Sequence, residues 1–201
     1  MDVLIVENAA KNRRLFSIKK YILILFGSPN NNGNTRKMVD YLKSDLNGYN
    51  FFEFNAYKEL LQPCFGCNAC KSTGQCYLSD FKKMEYFIRE INPDILIIAS
   101  PLYNFGFPAP LKAFFDRLQP YYNSFKRGNS QKKAILFMSS GKEFCNKNEF
   151  IKNLDVILRP LNFKIEYSCF YENTDYKESV SKDFQNIKFK IDNIKNKLNS
   201  Q

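Results

Sequence analysis

The chain has 201 residues, 44% of them hydrophobic, which is enough to bury one substantial core, so we expect a single domain. Its net charge of +10 is spread along the whole chain and accompanies no recognition-helix, zinc-finger or aromatic-basic signature, so we expect no nucleic-acid partner. The absence of histidine excludes the commonest general base and the Ser-His and Cys-His nucleophiles.

The N-terminal residues lack the basic, apolar and small-residue order of a secretory signal, and no apolar stretch approaches the roughly 20 residues that span a bilayer. We therefore expect a cytoplasmic protein with no membrane partner. Residues 1–20 hold a short apolar run and a basic stretch. We treat them as an N-terminal extension without an assigned structure, and we expect the domain to cover residues 21–201.

From Tyr21 onward, apolar runs of strand length alternate with segments of helical period. The predicted strands are residues 21–26, 50–54, 94–99, 133–139 and 164–170. Because parallel strands need crossover connections and lie buried, the alternation predicts an α/β fold with a parallel sheet and helices on both faces. The flavodoxin-like strand order 2-1-3-4-5 is the natural version with five strands.

Apolar residues at helical spacing predict five helices between and after these strands. The core-facing sets are Met38, Val39, Leu42 and Leu46; Phe81, Met84, Ile88 and Ile91; Leu111, Phe114, Phe115 and Leu118; Phe150, Leu154, Ile157 and Leu161; and Phe184, Ile187, Ile191, Ile194 and Leu198. Asn47-Gly48 is expected to stop the first helix, and Ser79 or Asp80 to cap the second.

The loop after the first strand, residues 27–35, is rich in Gly, Asn and hydroxyl side chains and leads into a helix. A helix start offers free N–H groups and a partial positive charge, so this loop is suited to an anion. Ser28, Asn34 and Thr35 add side-chain donors, and Gly33 permits close backbone approach. Neither a Mg-nucleotide P-loop nor a dinucleotide motif is present, so a monophosphate fits better; an ordinary capped turn is the alternative.

The loop after the third strand, residues 100–108, is the predicted neighbour of the first loop. In this fold a ligand binds at the carboxyl ends of the strands, where the winding reverses between strands 1 and 3. The aromatic and backbone groups of this second loop are suited to a flat heterocycle. With 20 Phe and 12 Tyr in the chain, aromatic residues also reach loops by chance.

These motifs resemble those of the flavodoxin-like NAD(P)H-dependent FMN reductase and iron-sulfur flavoprotein group. The matching stretches are residues 27–35, 64–76 with 79–81, 100–103 and 109–117. The resemblance implies bound FMN, with its phosphate in the first loop and its isoalloxazine ring against the second. The implied cofactor-binding residues are Ser28, Asn30, Gly33, Asn34 and Thr35; Pro101, Leu102, Tyr103, Asn104 and Phe105; and Gly141 after the fourth strand.

One position departs from the family pattern. Relatives often carry a basic residue directly after the Ser-Pro of the first loop, and Asn30 stands there in this chain. We therefore expect the phosphate charge to be met by Arg36, by backbone dipoles or by a neighbouring subunit.

Four cysteines, Cys64, Cys67, Cys70 and Cys76, form a C-x-x-C-x-x-C-x5-C pattern in a predicted loop over residues 56–78. Such spacing resembles that of iron-sulfur flavoproteins and can hold a [4Fe-4S] cluster within one loop. Structural zinc and free thiols are the alternatives. The two remaining cysteines, Cys145 and Cys169, look isolated, and we assign Cys169 to the core.

The leading functional hypothesis is an FMN-dependent oxidoreductase that passes electrons from NAD(P)H through FMN to a small-molecule or protein acceptor. Hydride transfer depends on stacking and alignment more than on a side-chain acid, so we predict no catalytic residue. The resemblance also implies a homodimer or larger homo-oligomer that completes the flavin pocket. Two alternatives stay open: a non-enzymatic FMN electron carrier, and a thiol or metal sensor on the same scaffold.

Overall fold

The computed structural model describes residues 20–124, 131–175 and 180–200, with the backbone alone described over 180–183. The extension expected at residues 1–20 lies outside these ranges except for Lys20, which begins the first strand. Among the described residues, no helix combines the length and the apolar character needed to cross a membrane.

The centre of the fold is a parallel sheet. Its strands are β1 Lys20–Phe26, β2 Tyr49–Asn55, β3 Ile95–Pro101, β4 Lys132–Ser139 and β5 Phe163–Tyr171. They lie in the order β2-β1-β3-β4-β5, and every neighbouring pair is parallel. The predicted strands and their order are confirmed. The strands β1 and β3 are buried along nearly their whole length, which explains their continuous apolar runs.

Helices cover both faces of this sheet. They are α1 Asn34–Lys43, α2 Ala56–Glu59, α3 Ala69–Thr73, α4 Phe81–Glu85, α5 Ala109–Asp116, α6 Gln119–Ser124, α7 Lys147–Leu158 and α8 Val180–Asn199. A π-helical segment, Tyr86–Glu90, extends α4, and a 3-10 turn, Arg159–Leu161, follows α7. One apolar layer packs α1 and α8 against one face of the sheet, and the other packs α4, α5, α6 and α7 against the opposite face. The α/β architecture is therefore the predicted one.

The first predicted helix ends earlier than expected. It stops at Lys43 rather than at Asn47-Gly48, and the N–H of Leu46 then donates to the carbonyl of Lys43 across 3.3 Å. Leu46 is nevertheless buried, as expected, within the turn that precedes β2.

Two further helix predictions need correction. In α7, Ile157 is 37% exposed and Leu158 is buried, because Leu158 lies four residues after the buried Leu154 and so shares its face. The predicted third helix ends at Asp116, before Leu118, and α6 follows as an element that the sequence did not predict.

Candidate functional site

The first loop and the start of α5 approach each other closely at the carboxyl edge of the sheet. The N–H of Gly27 donates to the carbonyl of Ala99 at the end of β3 across 2.8 Å. A Cβ atom at Gly27 would lie 2.5 Å from Cδ2 of Leu111 and 2.9 Å from Oγ of Ser100. Only glycine therefore allows β1 and α5 to come this close.

The N-terminus of α1 opens onto this loop. Gly33 is extended at the N-cap position, and the first helical hydrogen bond runs from the N–H of Lys37 to the carbonyl of Gly33 at 3.1 Å. Within the described residues, no side chain caps α1 and its first turn holds no acidic residue. The N–H groups of Asn34, Thr35 and Arg36 thus have no intrahelical acceptor, and the positive end of the helix fits an anionic group such as a phosphate.

Ser28 and Asn30 shape the loop before this helix start. The Asn30 N–H donates to Oγ of Ser28 at 3.2 Å, and that hydroxyl lies 3.3 Å from the Asn30 carbonyl, to which it donates. Ser28 is buried. Both residues therefore stand where the sequence placed them, at the bend between β1 and α1.

Thr35 connects the first loop to β4. Its hydroxyl and that of Ser139 lie 2.8 Å apart in a buried hydrogen bond, in which either atom can be the donor. The Thr35 side chain thus ties the start of α1 to the end of β4. The sequence predicted a side-chain donor at Thr35 without this partner.

Arg36 is paired with Glu53 on β2. Two hydrogen bonds of 2.7 Å join the guanidinium to the carboxylate, and the guanidinium lies 3.7 Å from the ring centre of Phe26. The hydrogen bond with Glu53 raises the pKa of Arg36. Burial works against ionisation of Glu53, yet Arg36 holds its pKa below the ordinary value. Since the Arg36 charge is already balanced, the α1 backbone is the better source of positive charge for an anion.

The second loop makes a tight two-residue turn directly after β3. The N–H of Tyr103 donates to the carbonyl of Gly106 at 2.9 Å, and the N–H of Gly106 donates back at 3.0 Å. Asn104 and Phe105 both have left-handed backbone angles, with φ of 48° and 62°. This is the pattern of a type I′ turn, in which Asn is common and a bulky ring costs about 1–2 kcal/mol.

The start of the second loop is tied to β4, and a third loop closes beside it. The N–H of Leu102, next to Pro101, donates to the carbonyl of Ser139 at 2.8 Å. A Cβ atom at Gly141 would collide with the carboxylate of Asp175 in the loop after β5. The loops that follow β4 and β5 therefore pack closely at Gly141.

Two site residues were missed in the sequence, Asn55 and Tyr57. Asn55 ends β2, is buried, and accepts hydrogen bonds from the N–H groups of Tyr57 and Lys58 at 3.1 and 3.2 Å. Its amide reaches Oδ1 of Asn31 in the first loop at 3.5 Å. Tyr57 follows in α2, where burial, and then the neighbouring Tyr103, raise its pKa. The sequence did contain a signal for Asn55, because a polar residue directly at the carboxyl end of a parallel strand is typical of a site at that edge of the sheet.

The four clustered cysteines do not come together. Cys64 and Cys67 are exposed, whereas Cys70 and Cys76 are half-buried. Cys70 Sγ accepts from the amide of Asn123 at 3.7 Å, and Cys76 Sγ accepts from Arg117 at 3.5 Å. Across the part of the chain that the structure describes, no three Cys, Asp or Glu residues form a group able to hold a metal ion. As folded, the thiols do not fit the predicted cluster.

Arg117 closes the base of the cysteine segment, which we define as residues 62–80. Its Nη1 donates to Oδ1 of Asp80 at 2.5 Å and to the carbonyl of Gln62 at 3.2 Å, and its Nη2 donates to the carbonyl of Leu78 at 3.3 Å. Asp80 stands at the predicted N-cap position of α4, but its carboxylate accepts from the N–H of Gln62 at 2.8 Å and makes no capping hydrogen bond. Arg117 belonged to a matching stretch of the sequence but had no predicted role.

The predicted loop over residues 56–78 contains more regular structure than expected. Two short helices, α2 and α3, lie within the loop expected over residues 56–78. Cys169 is buried in β5, as predicted, and burial raises the pKa of its thiol to about 11.

Curated relatives of this chain include iron-sulfur flavoproteins. One from Archaeoglobus fulgidus is 31% identical over 100 residues, which are 48% of this chain and 44% of the relative. Another, from Methanocaldococcus jannaschii, is 31% identical over 121 residues, which are 57% of this chain and 60% of the relative. The chain thus spans about half the length of these relatives.

Solved structures share the fold. An NAD(P)H:quinone oxidoreductase from Methanothermobacter marburgensis superimposes with a TM-score of 0.67 at 15% sequence identity, covering 88% of this chain and 97% of that chain. The family model described as NADPH-dependent FMN reductase matches residues 21–145, which is more than half of the 201 residues. The resemblance drawn from the sequence motifs is confirmed: this chain belongs to the NADPH-dependent FMN reductase family.

Proposed function

We propose that the protein is an FMN-dependent oxidoreductase that takes electrons from NAD(P)H and passes them to an acceptor. The observation that carries this proposal is the open N-terminus of α1 beside the turn that follows β3. An anion site and a wall for a flat ring thus lie together between β1 and β3, where the winding of the sheet reverses.

The proposed phosphate site is built mainly from backbone. The N–H groups of Asn34, Thr35 and Arg36 bind the phosphate oxygens, and Ser28, Asn30 and Gly33 shape the loop around them. Because Arg36 is committed to Glu53, the charge of the phosphate is met by the α1 dipole. This arrangement suits one phosphate group better than a diphosphate, since the loop carries no dinucleotide motif.

The proposed ring site lies along the second loop. Pro101, Leu102, Tyr103, Asn104 and Phe105 line one side of the isoalloxazine, and Gly141, where the Asp175 carboxylate already fills the space of a side chain, closes the far side. The hydrogen bonds from Leu102 to Ser139 and between Thr35 and Ser139 hold both loops against β4. These contacts fix the position of the ring relative to the phosphate, which is the alignment that hydride transfer needs.

Bound FMN supplies the hydride acceptance and the electron release, so the chain needs no nucleophile of its own. The described loops offer backbone N–H groups and hydroxyls that orient the cofactor. Water can supply the proton for the acceptor because the site lies at the carboxyl ends of the strands, where Tyr103 and Phe105 are exposed to solvent.

A cluster at the four cysteines is a separate hypothesis. It is supported by the C-x-x-C-x-x-C-x5-C spacing and by the names of the relatives. The folded positions of the thiols do not fit it, so the proposed electron path runs from NAD(P)H to FMN to the acceptor. Iron, acid-labile sulfide and zinc analysis after anaerobic purification separates a cluster, zinc and free thiols.

Turnover by the FMN-loaded protein tests the proposed function. We expect steady oxidation of NAD(P)H in the presence of an acceptor, and tighter binding of FMN than of riboflavin because the latter lacks the phosphate. A protein that holds FMN but oxidises neither NADH nor NADPH with any acceptor contradicts the enzyme and favours the electron carrier. Gel filtration with and without FMN tests the homodimer that we also propose.

A further inference from the structure

Arg36 is the cationic side chain that follows the first loop directly. The loop, residues 27–35, contains no charged side chain of its own. The backbone N–H of Arg36 is one of the three that have no intrahelical acceptor at the start of α1. Because a guanidinium binds phosphate oxygens well, the Arg36 side chain is the natural cation for a phosphate bound there.

The structure places this cation against a carboxylate instead. Two hydrogen bonds of 2.7 Å join Nη1 and Nη2 of Arg36 to the two carboxylate oxygens of Glu53. Such a bidentate pair is geometrically specific and is among the stronger ion pairs in proteins. The guanidinium also lies 3.7 Å from the ring centre of Phe26, and only 15% of the Arg36 side chain is exposed. Arg36 is thus held in place with its charge matched.

Glu53 reaches Arg36 because β2 is the edge strand beside β1. The strand register pairs Glu53 with Ile24, two residues before Phe26, the last residue of β1. Burial opposes the ionisation of Glu53, yet Arg36 holds its pKa below the ordinary value, so both groups are charged at neutral pH. A second carboxylate, on Asp40 one turn along α1, lies 4.0 Å from Nη1 of Arg36 but is 60% exposed and so contributes less.

We infer that Glu53 is a specificity-determining residue for the proposed cofactor, because it balances the Arg36 charge and so limits the preference of the site for FMN over riboflavin. This inference rests on the proposed function, since it concerns the phosphate site of that function. FMN differs from riboflavin in a phosphate with about two negative charges at neutral pH. With Glu53 ionised, the pair adds no net charge beside α1, and the backbone N–H groups and the helix dipole recognise the phosphate.

The test measures the dissociation constants of FMN and riboflavin for the full chain and compares their ratio. Glu53→Gln keeps the size of the side chain and removes its charge, which leaves one net positive charge at the start of α1. We expect the preference for FMN to rise about tenfold at low salt, the size expected for a unit charge roughly 10 Å away at a protein surface. The gain should shrink as the ionic strength rises.

Arg36→Gln should have the opposite effect, because it leaves the Glu53 carboxylate unbalanced near the phosphate. The double variant, Arg36→Gln with Glu53→Gln, removes both charges and is expected to return to the wild-type ratio. Glu166→Gln removes the same charge from β5, at the opposite edge of the sheet, and is the matched control for which the ratio stays unchanged.

A loss of stability cannot raise the affinity for FMN while that for riboflavin stays the same, so a merely structural role for Glu53 does not predict this gain. An unchanged or lower ratio in Glu53→Gln overturns the inference and leaves the proposed function intact. A double variant far below the wild-type ratio also overturns it, because Arg36 would then bind the phosphate in the wild type. If Glu53→Gln alone does not fold, the double variant decides. A wild type that binds neither flavin contradicts the proposed function itself.

Discussion

Arg117 and Asp80 form an ion pair at the base of the cysteine segment, with Nη1 2.5 Å from Oδ1 and the guanidinium fully buried. The same guanidinium reaches the carbonyls of Gln62 and Leu78, which lie on either side of the four cysteines. The two ends of the segment are therefore joined to the residue that follows α5. The middle of the segment, where Cys64 and Cys67 are exposed, is free of this constraint.

Arg117→Met is expected to lower the free energy of unfolding by about 3 kcal/mol, because it leaves the Asp80 carboxylate without its buried partner. Proteolysis within residues 62–80 should become faster than elsewhere in the described chain. Denaturant unfolding and limited proteolysis measure both effects.

The matched control is Lys112→Met in α5. Lys112 pairs with Asp116 one turn away, and both side chains are about half exposed, so the loss should stay below about 1 kcal/mol. Equal losses in the two variants would contradict the clamp that we assign to Arg117.

The strands could be predicted from the sequence because buried parallel strands read as short apolar runs. This is clearest for β1 and β3, where residues on both faces are apolar. The buried faces of the helices were harder to predict, because adjacent residues on a helix point about 100° apart and a shift of one residue changes which of them is buried. Ile157 and Leu158 show this, since both are apolar and only Leu158 shares the face of Leu154.

The proximity of the first and second loops could be predicted from the sequence, but the contacts that their residues make could not. The strand order alone brings the first and second loops together. The hydrogen bond between Thr35 and Ser139 joins residues 104 positions apart, and the pairing of Arg36 with Glu53 depends on the register of β1 and β2. Such contacts have no local pattern. The left-handed backbone angle of Phe105 could not be predicted either, because phenylalanine rarely adopts positive φ.

Gly27→Ala is expected to destabilise the protein by about 1–3 kcal/mol, because the new Cβ would lie 2.5 Å from Cδ2 of Leu111. The same displacement of α5 from β1 should weaken FMN binding. Thermal unfolding and FMN titration measure the two effects.

Gly48→Ala is the control for this substitution. No atom lies within 4 Å of a Cβ at Gly48, so the change should be neutral or slightly stabilising. If Gly27→Ala were equally neutral, the close approach of α5 to β1 would not constrain the site.

The buried thiol of Cys169 is expected to lower the free energy of unfolding at alkaline pH. Burial raises the pKa of its thiol from 9.0 to about 11, so the folded state holds the proton more tightly than the unfolded state. This contribution is complete below pH 9 and disappears as the pH rises through the folded pKa, with a size on the order of 2 kcal/mol. Cys169→Ala should flatten the fall in unfolding free energy between pH 9 and 11.

The exposed Cys145 provides the matched control, since Cys145→Ala should leave the alkaline fall unchanged. Burial also raises the pKa of Tyr121, from 10.0 to about 12, so its contribution begins to fall at a higher pH and is the same in both variants. A slope unaffected by Cys169→Ala would mean that the thiol is not the group that titrates.

Asn34→Asp is expected to affect phosphate binding and the stability of α1 in opposite directions. A carboxylate in the first turn of α1 interacts favourably with the helix dipole, so the variant should be at least as stable as the wild type. The same charge repels a phosphate at the helix start. We therefore expect FMN affinity to fall by about tenfold or more, since each tenfold corresponds to about 1.4 kcal/mol.

Riboflavin binding distinguishes this effect from a general loss of the pocket. Riboflavin has no phosphate, so its affinity should change little in Asn34→Asp. Asn47→Asp adds the same charge at an exposed position beyond the end of α1 and should alter neither affinity. If FMN and riboflavin weakened equally in Asn34→Asp, the α1 N-terminus would not be the phosphate site, and the cofactor would have to be oriented by other residues.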